Sequence, residues 1–309
     1  NTCDEIGVGT NDAECDISFL DNSVKSINQV NDVFDADENT QVFQDNRGAI
    51  SQVIDAENDC DETGIGGGDN DAECSVEESV DNLLGPVNQD NDANGADNSI
   101  FDQDNNIDVS QNIIADTDCN ASGNSAFCQN GEDTEDDEAN LIESISQEST
   151  SNLIEDAFSN QLNEVSIDQN AELVNTCDES GTGLHDGACV NHEVQNFVGP
   201  ISQLNEADGF DSAVISETSN KVDIVQDLQA TNDCDESDAG GNFVLSCENQ
   251  AFNTIGLISQ LNNAEGLGAD DIDQDNFVSI NQNMQSKNDC DESGDGNNNA
   301  ECLITAGNS

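Results

Sequence analysis

Twelve cysteines fall into six local pairs, and their spacing constrains the chain more than any other feature. The pairs are Cys3/Cys15, Cys60/Cys74, Cys119/Cys128, Cys177/Cys189, Cys234/Cys247 and Cys290/Cys302. Their first members lie 57, 59, 58, 57 and 56 residues apart. The 309 residues therefore read as one repeat domain, 1–309, with repeats at about 3–59, 60–118, 119–176, 177–233 and 234–289 and a partial sixth unit at 290–309. Fixed self-similarity at this length marks a solenoid or an array.

Amide residues give each repeat a finer order. Three glutamines recur, as Gln29, Gln44 and Gln52, then Gln89, Gln103 and Gln111, then Gln147, Gln161 and Gln169. The fourth repeat has Gln203, Glu217 and Gln226, and the fifth Gln260, Gln274 and Gln282. An asparagine stands seven before the first of each set: Asn22, Asn82, Asn140, Asn196 and Asn253. Each marked segment alternates in the manner of a strand, as in Ile258-x-Gln260-x-Asn262 and Ile280-x-Gln282-x-Met284, with apolar and amide side chains on one face. The Asn22 and Asn196 segments use the opposite parity, so a bend must restore the phase. Pro86 and Pro200 occupy that place, where a lost ladder donor is tolerated. Stacked copies of such a unit let inward amides bond to their own kind, whereas a buried amide without a partner costs about 1–3 kcal/mol.

Four segments per repeat, joined by alternating short and long links, predict two two-stranded rungs per repeat. The fold expected is an all-β solenoid of about ten rungs, roughly 48 Å tall at ~4.8 Å per rung. The extra residues between paired cysteines read as a disulfide-pinned loop on every second rung. Equivalent loops would then lie about 9.6 Å apart, beyond the ~7 Å reach of a disulfide, so each pair is expected to close locally. Gaps of 9 to 14 between paired cysteines do not suit a zinc site.

The strand-turn-strand unit with inward Ile-x-Gln-x-Asn and Ile-x-Gln resembles the curlin repeat of the secreted amyloid curli family. Ile258, Gln260, Asn262, Ile280 and Gln282 carry the resemblance most closely. It implies a secreted β-solenoid whose copies assemble into an amyloid-like fibre.

Charge narrows the partners. There are 68 acidic residues against 4 basic ones, which excludes a nucleic-acid binder. No apolar run reaches the roughly 18 residues of a membrane span. Cations are expected as counterions, or carboxylates with raised pKa values, or both. Five cysteine pairs open on Cys-Asp-Glu, including Asp4/Glu5 and Asp61/Glu62, and two close on Asp-Ala-Glu-Cys, at Asp12/Glu14 and Asp71/Glu73. These eight are candidate ligands for calcium, the one cofactor considered, although no loop has EF-hand spacing. Asn120-Ala121-Ser122 is a glycosylation sequon. His185 and His192 have no nucleophile in a recognisable catalytic arrangement, and the expectation is a protein that is not an enzyme.

Repeat proteins usually carry polar caps. Here the chain opens almost directly on Cys3, stops soon after Cys302, and shows no evident cap. Open end rungs template further strand pairing, and a contact that does not close makes a filament. The expected function is a secreted structural subunit at the cell surface, a homopolymer stacked head to tail in an extracellular, curli-like filament serving adhesion, biofilm or surface matrix. The alternative is a monomeric acidic solenoid that binds calcium, mineral or ice.

Overall fold

A computed structural model describes residues 1–7, 11–64, 70–95, 98–121, 125–130, 139–180, 184–210, 213–237, 242–266, 272–293 and 297–309. Strands account for nearly all of them, and the described residues contain no helix. The chain winds as a coil. It starts with β1 (Thr2–Gly7), β2 (Asn11–Val24), β3 (Ile27–Ala36) and the long β4 (Gln41–Gly64). The next turn is β5 (Asn70–Leu84), β6 (Val87–Gly95) and β7 (Ile100–Ala121). The third is β8 (Ser125–Asn130), β9 (Ala139–Ile142), β10 (Ile145–Ile154) and β11 (Phe158–Ser180). Then come β12 (Leu184–Val198), β13 (Ile201–Phe210) and β14 (Val214–Ser237). The last strands are β15 (Asn242–Ile255), β16 (Ile258–Gly266), β17 (Ile272–Ser293) and β18 (Asn297–Asn308).

Three parallel sheets result. The long strands form one, in the order β1-β4-β7-β11-β14-β17. A second runs β16-β13-β10-β6-β3, and a third β18-β15-β12-β8-β5-β2, with β9 between β5 and β12. The two shorter sheets lie end to end across from the long one. Asn46 Nδ2 reaches Asn91 Oδ1 at 3.0 Å near one end of the long strand, and Asn58 Nδ2 reaches the Cys15 carbonyl at 2.7 Å near the other. Each coil is thus a flattened loop with a thin core.

The fold class is the all-β solenoid that the alternation implies, but the rung differs from the expectation. Hydrogen-bonded neighbours are one whole repeat apart: Gln44 pairs with Gln103, Gln103 with Gln161, and Cys60 with Cys119. One repeat is one coil, not two rungs. The segments around Gln44 and Gln52 are halves of a single strand, β4. Their step of eight is even, so the strand keeps its inward face without a turn between them. Five steps from β1 to β17 make a body about 24 Å tall, half the expected height, and roughly double the expected axial charge density. The cysteine loop is also corrected: Cys60 and Cys74 sit on β4 and β5 and face the core, on either side of the connection between those strands.

The joint between the short sheets shows the expected change of phase. Asn82 and Leu84 face inward before it, and Val87, Gln89 and Asn91 after it. Pro86 needs no donor there, and its carbonyl accepts from Ile27 N at 2.9 Å. Leu84, Val87, Ile142, Ile145, Val198 and Ile201 build an aliphatic file at the joint, packed on Ile107, Val109, Val165 and Ile167 of the long strands. At the turn into the long strand, Asn39 and Asn98 take positive φ of 64° and 57°, a conformation asparagine tolerates better than most residues.

Candidate functional site

Parallel, in-register coils place like side chains over like, and the core is organised in files along the axis. In the sheet of β3 and β6, Gln89 Nε2 donates to Gln29 Oε1, Gln147 to Gln89, Gln203 to Gln147 and Gln260 to Gln203, each at 2.8 Å. On the long strands Gln111 donates to Gln52 at 2.9 Å, Gln169 to Gln111 at 2.8 Å, Gln226 to Gln169 at 2.8 Å and Gln282 to Gln226 at 2.9 Å. The asparagine file donates the other way: Asn22 to Asn82 at 3.3 Å, Asn82 to Asn140 at 3.0 Å, Asn140 to Asn196 at 2.8 Å and Asn196 to Asn253 at 3.1 Å. The amide nitrogens also tie the two layers together. Gln111 Nε2, for example, reaches the Asn82 and Leu141 carbonyls at 2.7 and 3.2 Å. Of the nineteen amides expected inside, all but Asn22, Gln29, Gln260, Gln274 and Gln282 are buried, and those five lie on end coils.

One file breaks. Gln103 donates to Gln44 at 2.8 Å and Gln161 to Gln103 at 3.0 Å, but the next position holds Thr218 rather than Glu217. A register shift past Ile215 turns Glu217 out to solvent and Thr218 in. A carboxylate in this file would be a buried charge among amides, and a bulge is the cheaper arrangement. Gln274 stacks over Thr218 on the exposed end coil.

Two files escaped the sequence reading. Asn175 donates to Asn232 at 3.1 Å and Asn232 to Asn288 at 3.2 Å, two residues before a cysteine. Asn130 donates to Asn191 at 3.0 Å and Asn191 to Asn249 at 2.7 Å, two residues after one. The signal was present: the inward parity of each cysteine extends to these asparagines.

The cysteines form a file of their own, alternating between the long sheet and the sheet of β2 and β5. Local pairing is found at Cys3–Cys15, Cys60–Cys74, Cys177–Cys189 and Cys290–Cys302, with Cα separations of 5.9, 6.1, 6.4 and 7.0 Å. Cys128–Cys177 and Cys189–Cys234 are within reach too, at 6.3 and 6.6 Å, and these join successive coils. Cys119 and Cys247 are buried free thiols. The expectation of purely local closure is therefore corrected. It assumed equivalent cysteines about 9.6 Å apart, whereas one coil per repeat brings them to about 4.8 Å. Burial pushes both free thiols up, Cys247 to about 12.

The candidate calcium ligands whose side chains are described do not converge. Asp61 and Glu62 point to opposite faces of one strand, Glu62 into the core at 2 % exposure. Glu5, Glu14, Asp71 and Glu73 are exposed. The side chains of Asp4, Asp12 and His185 lie outside the described residues. Among the described residues, the ligand groups drawn close together are cysteines: Cys177, Cys189 and Cys234, and Cys247, Cys290 and Cys302. Asn120 of the sequon sits on β7, and its amide donates to Asp61 Oδ1 at 2.8 Å.

The outer acids stack as the inner amides do. Asp118 is pushed up to about 6, by partial burial first and then by Asp59, Asp178, Asp61 and Asp116. Burial likewise raises Asp90, Asp104 and Asp116, with neighbouring carboxylates adding to it. Four basic residues cannot offset this. Arg47 spans two coils, bonding Asp45 at 2.7 Å and Asp104 at 3.1 Å, and Lys221 pairs with Glu164.

No family model, curated protein or solved structure matches the chain.

Proposed function

We propose that the chain is the structural subunit of an extracellular, curli-like filament in which copies stack head to tail along the coil axis. The observation that carries this reading is the in-register parallel stacking of one coil on the next, in which each coil offers its neighbour the kind of edge it is itself built on. At one end β16, β17 and β18 expose their outer edges, and at the other β2, β3 and the first part of β4 do. β1 covers β4 only over Asp59–Gly64. A second copy in the coil register sets its β1 on Asp289–Ser293 of β17, its β2 on β18, its β3 on β16, and its β4 on the rest of β17. Core positions stand open at this edge: Ile280 is 49 % exposed, while Ile224, one coil below, is 0 %. Such an edge templates further pairing, and a translation that never closes gives a fibre.

Six cysteine pairs lie within bridging reach, of which five can be closed at once, and they favour an oxidising compartment such as the cell exterior. The work proposed is mechanical and adhesive rather than catalytic. Electron microscopy and fibre diffraction of the purified chain test it. Unbranched filaments with a layer line near 4.8 Å along the axis are expected. Monodisperse particles of 32.7 kDa that gain thermal stability on adding calcium would sink the reading and support the monomeric, cation-binding alternative.

A further inference from the structure

With 68 acidic residues against 4 basic ones, apolar side chains on the outer surface need a reason. Among the described residues, the large apolar side chains exposed away from the first and last coils are Ile154, Phe210 and Val214. Single exposed apolar residues are ordinary. Ile154 and Phe210 are not single. They pair in register at the ends of β10 and β13, with 55 % and 67 % of their surfaces open. Both face outward, because the alternation of these strands turns Leu153 and Gly209 into the core.

A hollow of about 640 Å³ adjoins this pair and crosses β3, β6 and β10. Asn94 and Asn152 line it, joined by Asn152 Nδ2 donating to Asn94 Oδ1 at 2.6 Å, and Ala36 and Ile154 give it an apolar wall. Asp37 and Glu38 line it from the turn after β3, and both are exposed. The turn after Ile154 adds the exposed Glu155 and Asp156, at positive φ of 30° and 53°. At the same corner two other coils use Asn39 and Asn98 for that conformation, which glutamate adopts less readily. Asp208 shares the outer face of β13 with Phe210. The corner therefore combines an apolar pair, a hollow and a rim of carboxylates.

We propose that this corner is a docking surface for a cationic peptide segment that carries large apolar residues between lysines or arginines. The apolar residues enter the hollow against Ile154 and cover Phe210, and the basic groups meet the carboxylates at the rim. From Ala36 on β3 to Phe210 on β13 the surface crosses four neighbouring strands. That is roughly 14 Å at ~4.8 Å per step, a span that about four or five extended residues cover at ~3.3 Å each. Such a length suits a chain. A net charge of −64 repels an acidic partner and draws in a basic one. A second copy of this chain lacks the required cations, since it has four basic residues and three of them are paired within it. The surface lies on the side of the coils, clear of the stacking edges, so the inference holds whether or not copies polymerise.

The test follows fluorescence anisotropy of the labelled peptide Lys-Lys-Leu-Phe-Lys-Lys against the full chain, cleared of filaments by sedimentation. Lys-Lys-Ser-Ser-Lys-Lys, of equal charge, is the control. Wild type is expected to bind the apolar peptide roughly tenfold more tightly than the control, or better. Ile154→Ser and Phe210→Ser should each remove most of that difference, and circular dichroism checks that both keep the β fold. Glu155→Gln with Asp156→Asn should weaken binding more than Asp178→Asn with Asp235→Asn, which takes the same charge from the long sheet. Equal affinity for the two peptides overturns the proposal, because net charge alone then holds them. Wild-type affinity in both serine variants overturns it by placing the contact elsewhere. Equal losses in the two neutralised pairs overturn it by reducing the rim to bulk charge. Self-association of the peptide-free chain that Phe210→Ser abolishes gives the face to a second copy and overturns it as well.

Discussion

Amide side chains let this core stay polar, because most of them bond along their file; where a file breaks, as at Gln161 Oε1 facing Thr218, an oxygen is left without a partner. Gln169 donates to Gln111 Oε1 at 2.8 Å, the Asn140 carbonyl at 2.8 Å and the Phe197 carbonyl at 3.1 Å, and accepts from Gln226 at 2.8 Å. Gln169→Ala removes a donor from three acceptors, the Gln111 amide oxygen and the Asn140 and Phe197 carbonyls, and an acceptor from the Gln226 amide, which keeps the Asn196 and Thr254 carbonyls. A loss of about 1–3 kcal/mol is expected. Gln260→Ala removes a similar amide from the open end coil and is expected to cost less. Urea unfolding of both variants checks this, and equal losses would mean that burial of the file contributes nothing. Asp118 supplies the pH dependence at this scale. Its folded value of about 6 lies above the ordinary carboxylate range, so its protonation favours the folded state. That contribution is complete below about pH 4 and disappears as pH rises through about 6. Wild type should therefore gain stability on acidification from pH 7 to 4. Asp118→Asn, permanently neutral, should show a smaller gain in the same titration of thermal midpoint, and an unchanged gain would acquit this carboxylate.

At the scale of the element, the strands were legible and their joints only partly so. Period-two alternation and recurring amides point to inward files, because a parallel in-register stack is the arrangement that satisfies a buried Gln at every level. The proline joint was legible from the parity of Asn82 against Gln89. What misled was the even step from Gln44 to Gln52. Eight residues fit a tight return or an uninterrupted strand equally well, and only long-range pairing decides between them. Reading a turn there split one coil into two, and with it went the height and the local closure of the cysteines. The bulge before Thr218 was equally hidden, since it depends on the neighbour below rather than on local sequence. The joint itself is tightly packed. A Cβ built on Gly199 would lie 1.9 Å from the Glu143 carbonyl oxygen of the coil below, and Gly199 N donates to the Ile142 carbonyl at 2.7 Å. Gly199→Ala must separate two coils at their joint, and a loss on the order of 1–3 kcal/mol is expected. Thermal melting should show this drop, while a wild-type midpoint would mean that the joint yields freely.

Over the whole molecule, cohesion and repulsion act along the same axis. Files of amides, aliphatics and cysteines draw coils together, while a net charge of −64 on about 24 Å of height drives them apart. A second copy would bring its carboxylates within one strand spacing of those on the end coil, well inside the ~10 Å screening length at 0.1 M salt. At 1 M salt that length falls to about 3 Å, and most of the repulsion between copies is screened. The hydrogen-bonded edges and the partly open Ile280 are not weakened in the same way. Filament elongation is therefore expected to quicken as sodium chloride rises. It should also quicken at constant salt as pH falls toward the sequence pI of about 4.1, where the stacked acids with raised pKa values protonate first. Light scattering against time, with filament lengths read by microscopy, measures both trends. Slower growth at high salt would show that ion pairs drive the end-to-end contact. With four basic residues in the chain, and three of them already paired within it, the ends have little with which to make such pairs.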